Sequence, residues 1–180
     1  RFQPCVSPVW DTAITAIALS DADEPADEPA IEKAAEWLLA KELRRGGDWQ
    51  VGRPGGEPSG WHFEDAHGFY PDIDDTAMGL MALLPAPSAA EPRFAEAIKR
   101  GTDWLLAMQN RDGGWAAFDV DIDNEILTKV PFADHNAMLD PSCADITARI
   151  IEALGQLDLP LSHPAIARGL DYLWRTQEPE

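Results

Sequence analysis

The feature that constrains the fold most is an internal repeat with a period of 67–68 residues. Its aromatic anchors, Trp37, Trp104 and Tyr172, keep this spacing along the chain. The polar residues that follow each anchor keep it as well: Glu42, Gln109 and Gln177. A period of this kind is typical of architectures in which each unit is one supersecondary motif that buries its apolar face against its neighbours.

A second motif precedes each anchor, in the segments 9–19, 73–83 and 144–154. All three contain Thr-Ala followed by apolar residues at helical spacing, and clusters of Pro or Gly close them. We find no alternating pattern long enough for a strand. The sequence therefore predicts an all-α protein built from stacked helix pairs, with a loop that carries Gly-x-Trp after the second helix of each pair.

The Gln-to-Trp segment that runs from Gln109 through Gly113 to Trp115 has a structural interpretation. We expect the Gln109 amide to bond free backbone groups at the helix end while Trp115 packs beside it, which would pin the loop to its own helix. In the first unit the matching residues are Glu42 and Trp49. The third unit stops after Gln177, before its Gly and Trp.

The composition limits the partners that the chain can have. Its 32 acidic and 14 basic residues give a net charge of −18, and no basic stripe is present to neutralise the phosphates of a nucleic acid. Cys5 and Cys143 lie far apart without a Cys-x-x-Cys pattern, which predicts free thiols. No apolar run approaches the ~20 residues of a membrane span, and no signal peptide is visible. Because the sequence starts without Met and stops within a repeat, we expect a piece of a longer protein.

Three carboxylates are crowded at the start of the second Thr-Ala helix: Asp72, Asp74 and Asp75 in the stretch PDIDDTAM. Aligning the repeats places Asp75 level with Asp11, and both are expected to be helix N-caps. Neighbouring carboxylates near apolar walls cannot all ionise cheaply, so at least one should stay protonated near neutral pH. A neutral carboxylic acid facing a dry cavity is a Brønsted acid, and adjacent aromatic rings can stabilise a cation that it forms.

Metal binding is the main alternative for the acidic residues. A magnesium site at the DIDD cluster stays open but is the weaker interpretation, because it lacks a DDxxD pattern. A calcium loop starting at Asp119 would need Gly at position 124 and Glu at 130, where the chain has Asn124 and Val130. The four histidines show no HExxH or similar spacing, so we predict no metal site.

Four motifs occurring together in the same order are similar to one enzyme family. They are PDIDDTA, the repeated Gln-Trp signature, SPVWDTA at 7–13 and PFADHNAMLDPSCADITAR at 131–149. The chain resembles the central part of bacterial squalene-hopene cyclases, which are class II triterpene cyclases. The resemblance covers essentially all 180 residues.

This resemblance implies that residues 1–180 are part of one α/α-barrel (α/α-toroid) domain in a larger two-domain enzyme with an apolar cavity. The family's enzymes protonate a terminal alkene of squalene and cyclise it to hopene and some hopanol, without a metal or organic cofactor. They are homodimers seated peripherally on the cytoplasmic side of the bacterial cytoplasmic membrane, from which they take squalene. We expect the 180-residue piece alone to be inactive.

Residue by residue, the resemblance makes Asp74 the proton donor, with Asp72 and Asp75 as the flanking carboxylates that tune and reload it. It places three aromatic rings in the cavity wall, facing the developing cations: Trp10, Phe63 and Phe118. It also implies a polar cavity position at Asp145 and a channel constriction near Phe132 and Ala133.

One position departs from the family pattern. Arg149 stands where the family's best-known member has the histidine partner of the donor. An arginine keeps its proton in proteins, so Arg149 cannot relay one, but it can stabilise the carboxylate left after proton transfer. Our hypothesis is that Asp72 and Asp75 offset the charge of Arg149 and leave one proton shared within the cluster.

Two other functions compete with squalene cyclisation. A class II diterpene cyclase also uses a DxDD acid, but it needs basic residues for a diphosphate, and the sequence shows no such cluster. A non-catalytic helical-repeat scaffold would leave the DIDD carboxylates exposed. Among triterpene cyclases, the resemblance associates DIDD with the unactivated alkene of squalene rather than with an epoxide.

Overall fold

A computed structural model of the chain describes residues 6–52, 56–64, 68–124, 126, 129 and 138–178. Within these residues it contains six α-helices and three isolated β-bridges but no β-strand. The helices come in three consecutive pairs: α1 Pro8–Ala22 with α2 Glu28–Lys41, α3 Ile73–Leu83 with α4 Pro92–Ala107, and α5 Ala144–Gln156 with α6 Pro164–Thr176. The predicted all-α architecture of helix pairs is confirmed.

The first helices of the three pairs lie side by side, since α3 packs against both α1 and α5. Each packs in turn against the second helix of its own pair. The central helix α3 is buried on every side, and Asp74 is its one residue that is not buried. This all-round burial explains why the segment GLMALL at 79–84 is continuously apolar rather than amphipathic.

Two tryptophans clasp the loops onto the ends of α2 and α4. The indole N–H of Trp115 donates to the carbonyl of Leu105 at 2.8 Å. The indole N–H of Trp61 donates to the carbonyl of Leu38 at 2.7 Å, one repeat period earlier. Trp61 is therefore the structural counterpart of Trp115, and the prediction that Trp49 has this position is wrong.

Trp49 belongs to an insertion that the loop after the second pair of helices lacks. It lies in a 3-10 turn, Asp48–Val51, where it is buried with its ring edge-on to Trp104 at 5.8 Å between centroids. Trp104 and Tyr172 are buried like it, whereas Trp37 is half-buried with the Lys41 ammonium over its ring. Trp49 is thus a core residue between α4 and the inserted turn.

The Thr-Ala motif is explained by the same two loops. The hydroxyl of Thr76 accepts the backbone N–H of Trp61 at 3.0 Å, and that of Thr147 accepts the backbone N–H of Trp115 at 3.0 Å. Both threonines are fully buried, so each hydroxyl satisfies an amide that water cannot reach. Each Trp loop consequently joins one helix pair to the first helix of the next.

The polar anchors also reach across to the following pair. The Gln109 amide donates to the carbonyl of Gly113 in its own loop and to the carbonyl of Ala165 in α6, each at 2.8 Å, and its oxygen accepts from Arg168. The expectation that Gln109 pins the loop only to its own helix is therefore incomplete. Gln177, at the end of α6, is exposed, and its backbone N–H donates to Leu173.

The first repeat uses an ion pair at the same place. Glu42 accepts from Arg100 at 2.7 and 3.0 Å and from the hydroxyl of Ser59 at 2.8 Å. The Glu42 side chain is only 5% exposed, so this pair bridges α2 and α4 in a largely dry setting. Arg100 pairs with Glu42 in the first repeat, just as Arg168, one period later, bonds Gln109 in the second.

In both repeats a backbone bond closes the loop that precedes the clasping tryptophan. Asn110 N–H donates to Gly114 at 2.9 Å, and Leu43 N–H donates to Gly60 at 2.8 Å. Gly60 has φ +112° and Gly113 has φ +97°, conformations that favour glycine. The closed loops differ in length, spanning residues 111–113 in one case and 44–59 in the other.

Candidate active site

The acid cluster is built around the N-terminus of α3. The Asp72 carboxylate caps the helix, accepting the backbone N–H groups of Asp74 at 2.8 Å and Asp75 at 3.1 Å. The expectation that Asp75 is the N-cap is wrong, because α3 begins at Ile73 and Asp75 lies in its first turn. The cluster thus places one carboxylate before the helix and two on its first turn.

The expected cap at Asp11 is wrong for the same reason. Helix α1 begins at Pro8, and its cap is Ser7, whose hydroxyl oxygen accepts the backbone N–H of Trp10 at 3.0 Å. The Ser7 hydroxyl also donates to the carbonyl of Phe63. Ser7 therefore ties the start of α1 to the loop that carries one of the predicted cavity aromatics.

Burial sets the acidity of the two flanking carboxyls. Asp75 is 1% exposed, and its Oδ1 atom has no hydrogen-bond partner within the described part of the chain. Burial, and then the charges of Asp72 and Asp74, raise the pKa of Asp75 to about 8, against the opposing effect of Arg149. Burial also raises the pKa of Asp72 to about 6, although the two N–H groups that it accepts lower it. The expected protonated carboxyl is therefore best assigned to Asp75.

Asp74 differs from its neighbours by having a cationic partner. Both of its carboxylate oxygens pair with the guanidinium of Arg149, which projects from α5. The guanidinium carbon lies 5.1 Å from the ring centroid of Trp10 on α1. Three adjacent helices thus contribute one residue each, and Arg149 lies between an aromatic ring and a carboxylate.

Two of the predicted cavity aromatics lie together in a separate recess. Phe63 and Phe118 line a cavity of about 460 Å³ whose other walls are Phe69, Tyr70, Asp119, Ile122, Met138, Leu139 and Asp140. The structure does not bring Asp74 or Trp10 into the lining of this cavity as far as the described residues define it. The predicted constriction residues Phe132 and Ala133 lie outside the described residues.

The remaining predicted residue, Asp145, lies in the first turn of α5 and is exposed. The structure does not place its side chain in the contact between Arg149 and Asp74, so its role stays a prediction. Within the described ranges, no group of three or more His, Cys, Asp or Glu residues is arranged to hold a metal ion. None of the helices described is long and apolar enough to cross a membrane.

The chain is similar in sequence to a family of known enzymes. Residues 6–180 match the family described as squalene-hopene cyclase C-terminal domain. The chain belongs to this family. The α/α pairs, the Trp clasps and the capped acid cluster described above are therefore features of a squalene-hopene cyclase C-terminal domain.

Individual squalene-hopene cyclases are similar along the whole chain. The protein from Schizosaccharomyces japonicus is 44% identical over 99% of the chain and 28% of its own length. That from Bradyrhizobium diazoefficiens is 44% identical over 99% of the chain and 27% of its own length. The one from Alicyclobacillus acidocaldarius is 38% identical, covering 99% and 28%. The chain thus spans just over a quarter of these relatives, which come from a fungus as well as from bacteria.

Asp140 anchors a loop of this domain, and it was not identified as such from the sequence. The Asp140 carboxylate accepts three consecutive backbone N–H groups, those of residues 117–119, at 2.7–3.1 Å. These partners stand 21–23 positions earlier in the chain, so no periodicity or short motif connects them. The only available signal was its place in the segment 131–149.

Proposed function

We propose that the full-length protein containing this chain converts squalene into a pentacyclic hopene-type product by protonating a terminal alkene. The observation that carries this proposal is the acid cluster at the start of α3. Asp72 and Asp75 are buried with raised pKa values, while Asp74 is the one half-exposed carboxylate and faces Arg149. Such a site holds a proton near neutral pH and has a cation ready to stabilise the anion that remains.

In the proposed first step, the π electrons of the terminal alkene form a C–H bond with the proton of Asp74. The Asp74 carboxylate is left paired with Arg149, and a tertiary carbocation forms on the substrate. Attack by the next alkene closes the first ring and passes the cation along. Asp75, which holds the proton of the resting cluster, passes it to Asp74 for this step, and a proton from solvent returns to Asp75 before the next turnover, with Asp72 completing the group.

The aromatic cavity suits the later steps. Phe63 and Phe118 line a recess of about 460 Å³, and aromatic rings stabilise cations without offering a nucleophile. Loss of a proton from the last cation gives hopene, and capture of water gives hopanol. The scheme requires no metal or organic cofactor.

Two competing functions are less well supported. A scaffold would present DIDD to solvent, whereas Asp72 and Asp75 are 8% and 1% exposed. A diphosphate substrate would need a site of basic residues for the diphosphate group, and the sequence shows no such cluster. A scaffold has no use for a buried carboxyl with a raised pKa.

The membrane and assembly belong to the proposal as well. We expect the full-length protein to act as a homodimer on one face of a membrane, taking squalene from the bilayer, and in a bacterium this would be the cytoplasmic face. Flotation of the full-length protein with phospholipid vesicles, with and without squalene, tests membrane binding. The 180-residue piece alone is expected to give no turnover, because it would lack part of the cavity.

The test of function is product analysis. The full-length protein in detergent is incubated with squalene, and the products are identified by mass spectrometry beside those of Asp74→Asn. Asp11→Asn, which alters an exposed first-turn carboxylate of α1, is the matched control. Pentacyclic product from the wild type and the control, and none from Asp74→Asn, supports the proposal. Product from Asp74→Asn removes Asp74 as the donor, and no product from any of them refutes squalene as the substrate.

A further inference from the structure

Asp140 fixes the backbone beside the cavity. Its Oδ2 atom accepts the N–H groups of Phe118 and Asp119, both at 2.7 Å, and its Oδ1 atom accepts that of Ala117 at 3.1 Å. Its own N–H donates to the carbonyl of Ile122 at 2.9 Å. Bonds from neutral donors to a charged acceptor are stronger than bonds between neutral groups, so three of them hold this tripeptide firmly.

The tripeptide in turn holds the chain on both sides of Asp72. The carbonyl of Ala117 accepts the backbone N–H of Ile73, the first residue of α3, at 2.8 Å. The carboxylate of Asp119 accepts the hydroxyl of Tyr70 at 2.8 Å, two residues before the helix cap. Asp140 therefore acts on the segment 70–73 through residues 117–119.

The side chains of Tyr70 and Phe118 are also in direct contact. Their rings meet edge to face with centroids 5.7 Å apart. Phe118 is consequently held at its backbone by Asp140 and at its ring by Tyr70, whose hydroxyl is held by Asp119. Without these restraints a side chain that is 40% exposed would have several rotamers available.

We infer that Asp140 is a positioning residue that holds Phe118 in the cavity wall and so determines how completely the substrate cyclises. This inference rests on the proposed function. A ring that stabilises a cation must lie close to it, and a displaced ring leaves that cation to lose a proton early. Displacement of Phe118 therefore releases products with fewer rings.

A neutral amide cannot replace the Asp140 carboxylate. In Asp140→Asn the remaining oxygen can keep the N–H groups of Phe118 and Asp119, but the NH2 group then faces the N–H of Ala117, donor against donor. The variant thus loses one bond and gains a repulsion next to the first residue of α3. Removing the charge of Asp140 also lowers the pKa of Asp72 and so changes the rate of protonation. Protonation precedes the step at which the cation either cyclises further or loses a proton. The ratio of products therefore reports the position of Phe118 in the cavity wall and not the strength of the acid.

The experiment compares full-length variants by the share of partly cyclised products from squalene. Asp112→Asn is the matched control, because Asp112 also anchors a loop, accepting from Gly114 N–H at 2.9 Å and from the Ser142 hydroxyl at 2.8 Å. We expect Asp140→Asn to raise this share roughly threefold or more, the effect of losing about one hydrogen bond. Asp112→Asn is expected to keep the wild-type ratio.

The outcomes separate the inference from the proposed function. An unchanged share in folded Asp140→Asn, or an equal rise in Asp112→Asn, overturns the inference while the proposed function stands. Absence of any cyclic product from the wild type is instead a failure of the proposed function. If Asp140→Asn does not fold, Tyr70→Phe is the test, since it removes only the hydroxyl bond to Asp119. A rise in the share of partly cyclised products in Tyr70→Phe supports the inference, and an unchanged share overturns it.

Discussion

The guanidinium of Arg149 pairs with both carboxylate oxygens of Asp74 and at the same time lies over the indole ring of Trp10. Since an arginine keeps its proton, this partner can stabilise the Asp74 anion but cannot supply the proton. On the proposed mechanism the proton comes from elsewhere in the cluster, and buried Asp75, whose pKa burial raises to about 8, is the carboxyl that retains one. We therefore propose that donor and reservoir are two adjacent residues.

Arg149→Gln is expected to reduce squalene cyclisation by roughly 10- to 100-fold in kcat, because the anion left on Asp74 loses its cation. Arg149 lowers the pKa of Asp75, so its removal raises that pKa. The alkaline limb of the pH–rate profile should therefore move to higher pH. Arg100→Gln breaks the Glu42 ion pair far from the acid and is expected to lower stability without moving that limb. An unchanged rate and profile in Arg149→Gln would contradict the assignment.

Trp10 is expected to act through Arg149 and not directly on the substrate. Loss of a cation–π contact worth about 1 kcal/mol should make Trp10→Leu roughly fivefold slower than wild type. In the Arg149→Gln background the same substitution should have little further effect. A double-mutant cycle on kcat measures this coupling, and strictly additive effects would instead assign Trp10 to the substrate cation.

Asp75→Asn is expected to stabilise the folded protein at neutral pH. The folded pKa of Asp75 is about 8, above its ordinary value of 3.8, so the folded state retains a proton that the unfolded state releases. The contribution of protonated Asp75 to the stability of the folded state is fully present below pH 4 and is lost progressively between pH 4 and pH 8. The variant should therefore gain a few kcal/mol at pH 7 and nothing at pH 4.

Thermal unfolding of the full-length protein between pH 4 and pH 8 checks this prediction. The Tm difference between Asp75→Asn and wild type should grow with pH. Asp11→Asn, at the exposed counterpart in α1, should show a difference that does not depend on pH in this way. A constant difference for Asp75→Asn would show that Asp75 ionises equally in both states.

Trp61→Phe should cost more stability than Trp49→Phe. The first substitution leaves the buried carbonyl of Leu38 without the indole donor, whereas the indole nitrogen of Trp49 has no partner in the described structure. We expect a difference of roughly 1–3 kcal/mol in the free energy of unfolding. Chemical denaturation of the two variants measures it, and equal losses would mean that the clasp bond contributes little.

The repeat could be predicted from sequence because its signals are local. Apolar residues at helical spacing and the aromatic anchors each lie within one helix, and all three helix pairs were found where the periodicity placed them. The clasp of the first repeat could not be found in this way, because the insertion separates Trp61 from Leu38 by 23 positions, against 10 in the second repeat. Trp49 follows the polar anchor Glu42 at a short sequence spacing similar to that in the second repeat, but Trp61 makes the hydrogen bond to the end of α2.

The acid cluster could be located from the sequence, but the arrangement of its carboxyls could not. The crowding of three aspartates pointed to a retained proton, yet which carboxyl is deepest depends on where α3 begins. Helix α3 begins three residues earlier than a cap at Asp75 would place it, so Asp72 is the cap and Asp75 lies in the first turn. Asp140 depends on contacts between distant loops, which no single stretch of sequence encodes.

The backbone bond between Leu43 and Gly60 closes a long loop in the first repeat, and within that loop Trp49 packs into the core against Trp104. Compared with the three-residue loop closed by Asn110 and Gly114, the longer loop costs only about 1.5 kcal/mol more in closure entropy. A large difference in loop length therefore costs the fold little, provided that Trp49 keeps its place in the core. The exposed position two residues after it, Val51, is where an epitope or a fluorescent reporter could be inserted with the least disturbance of α2 and α3.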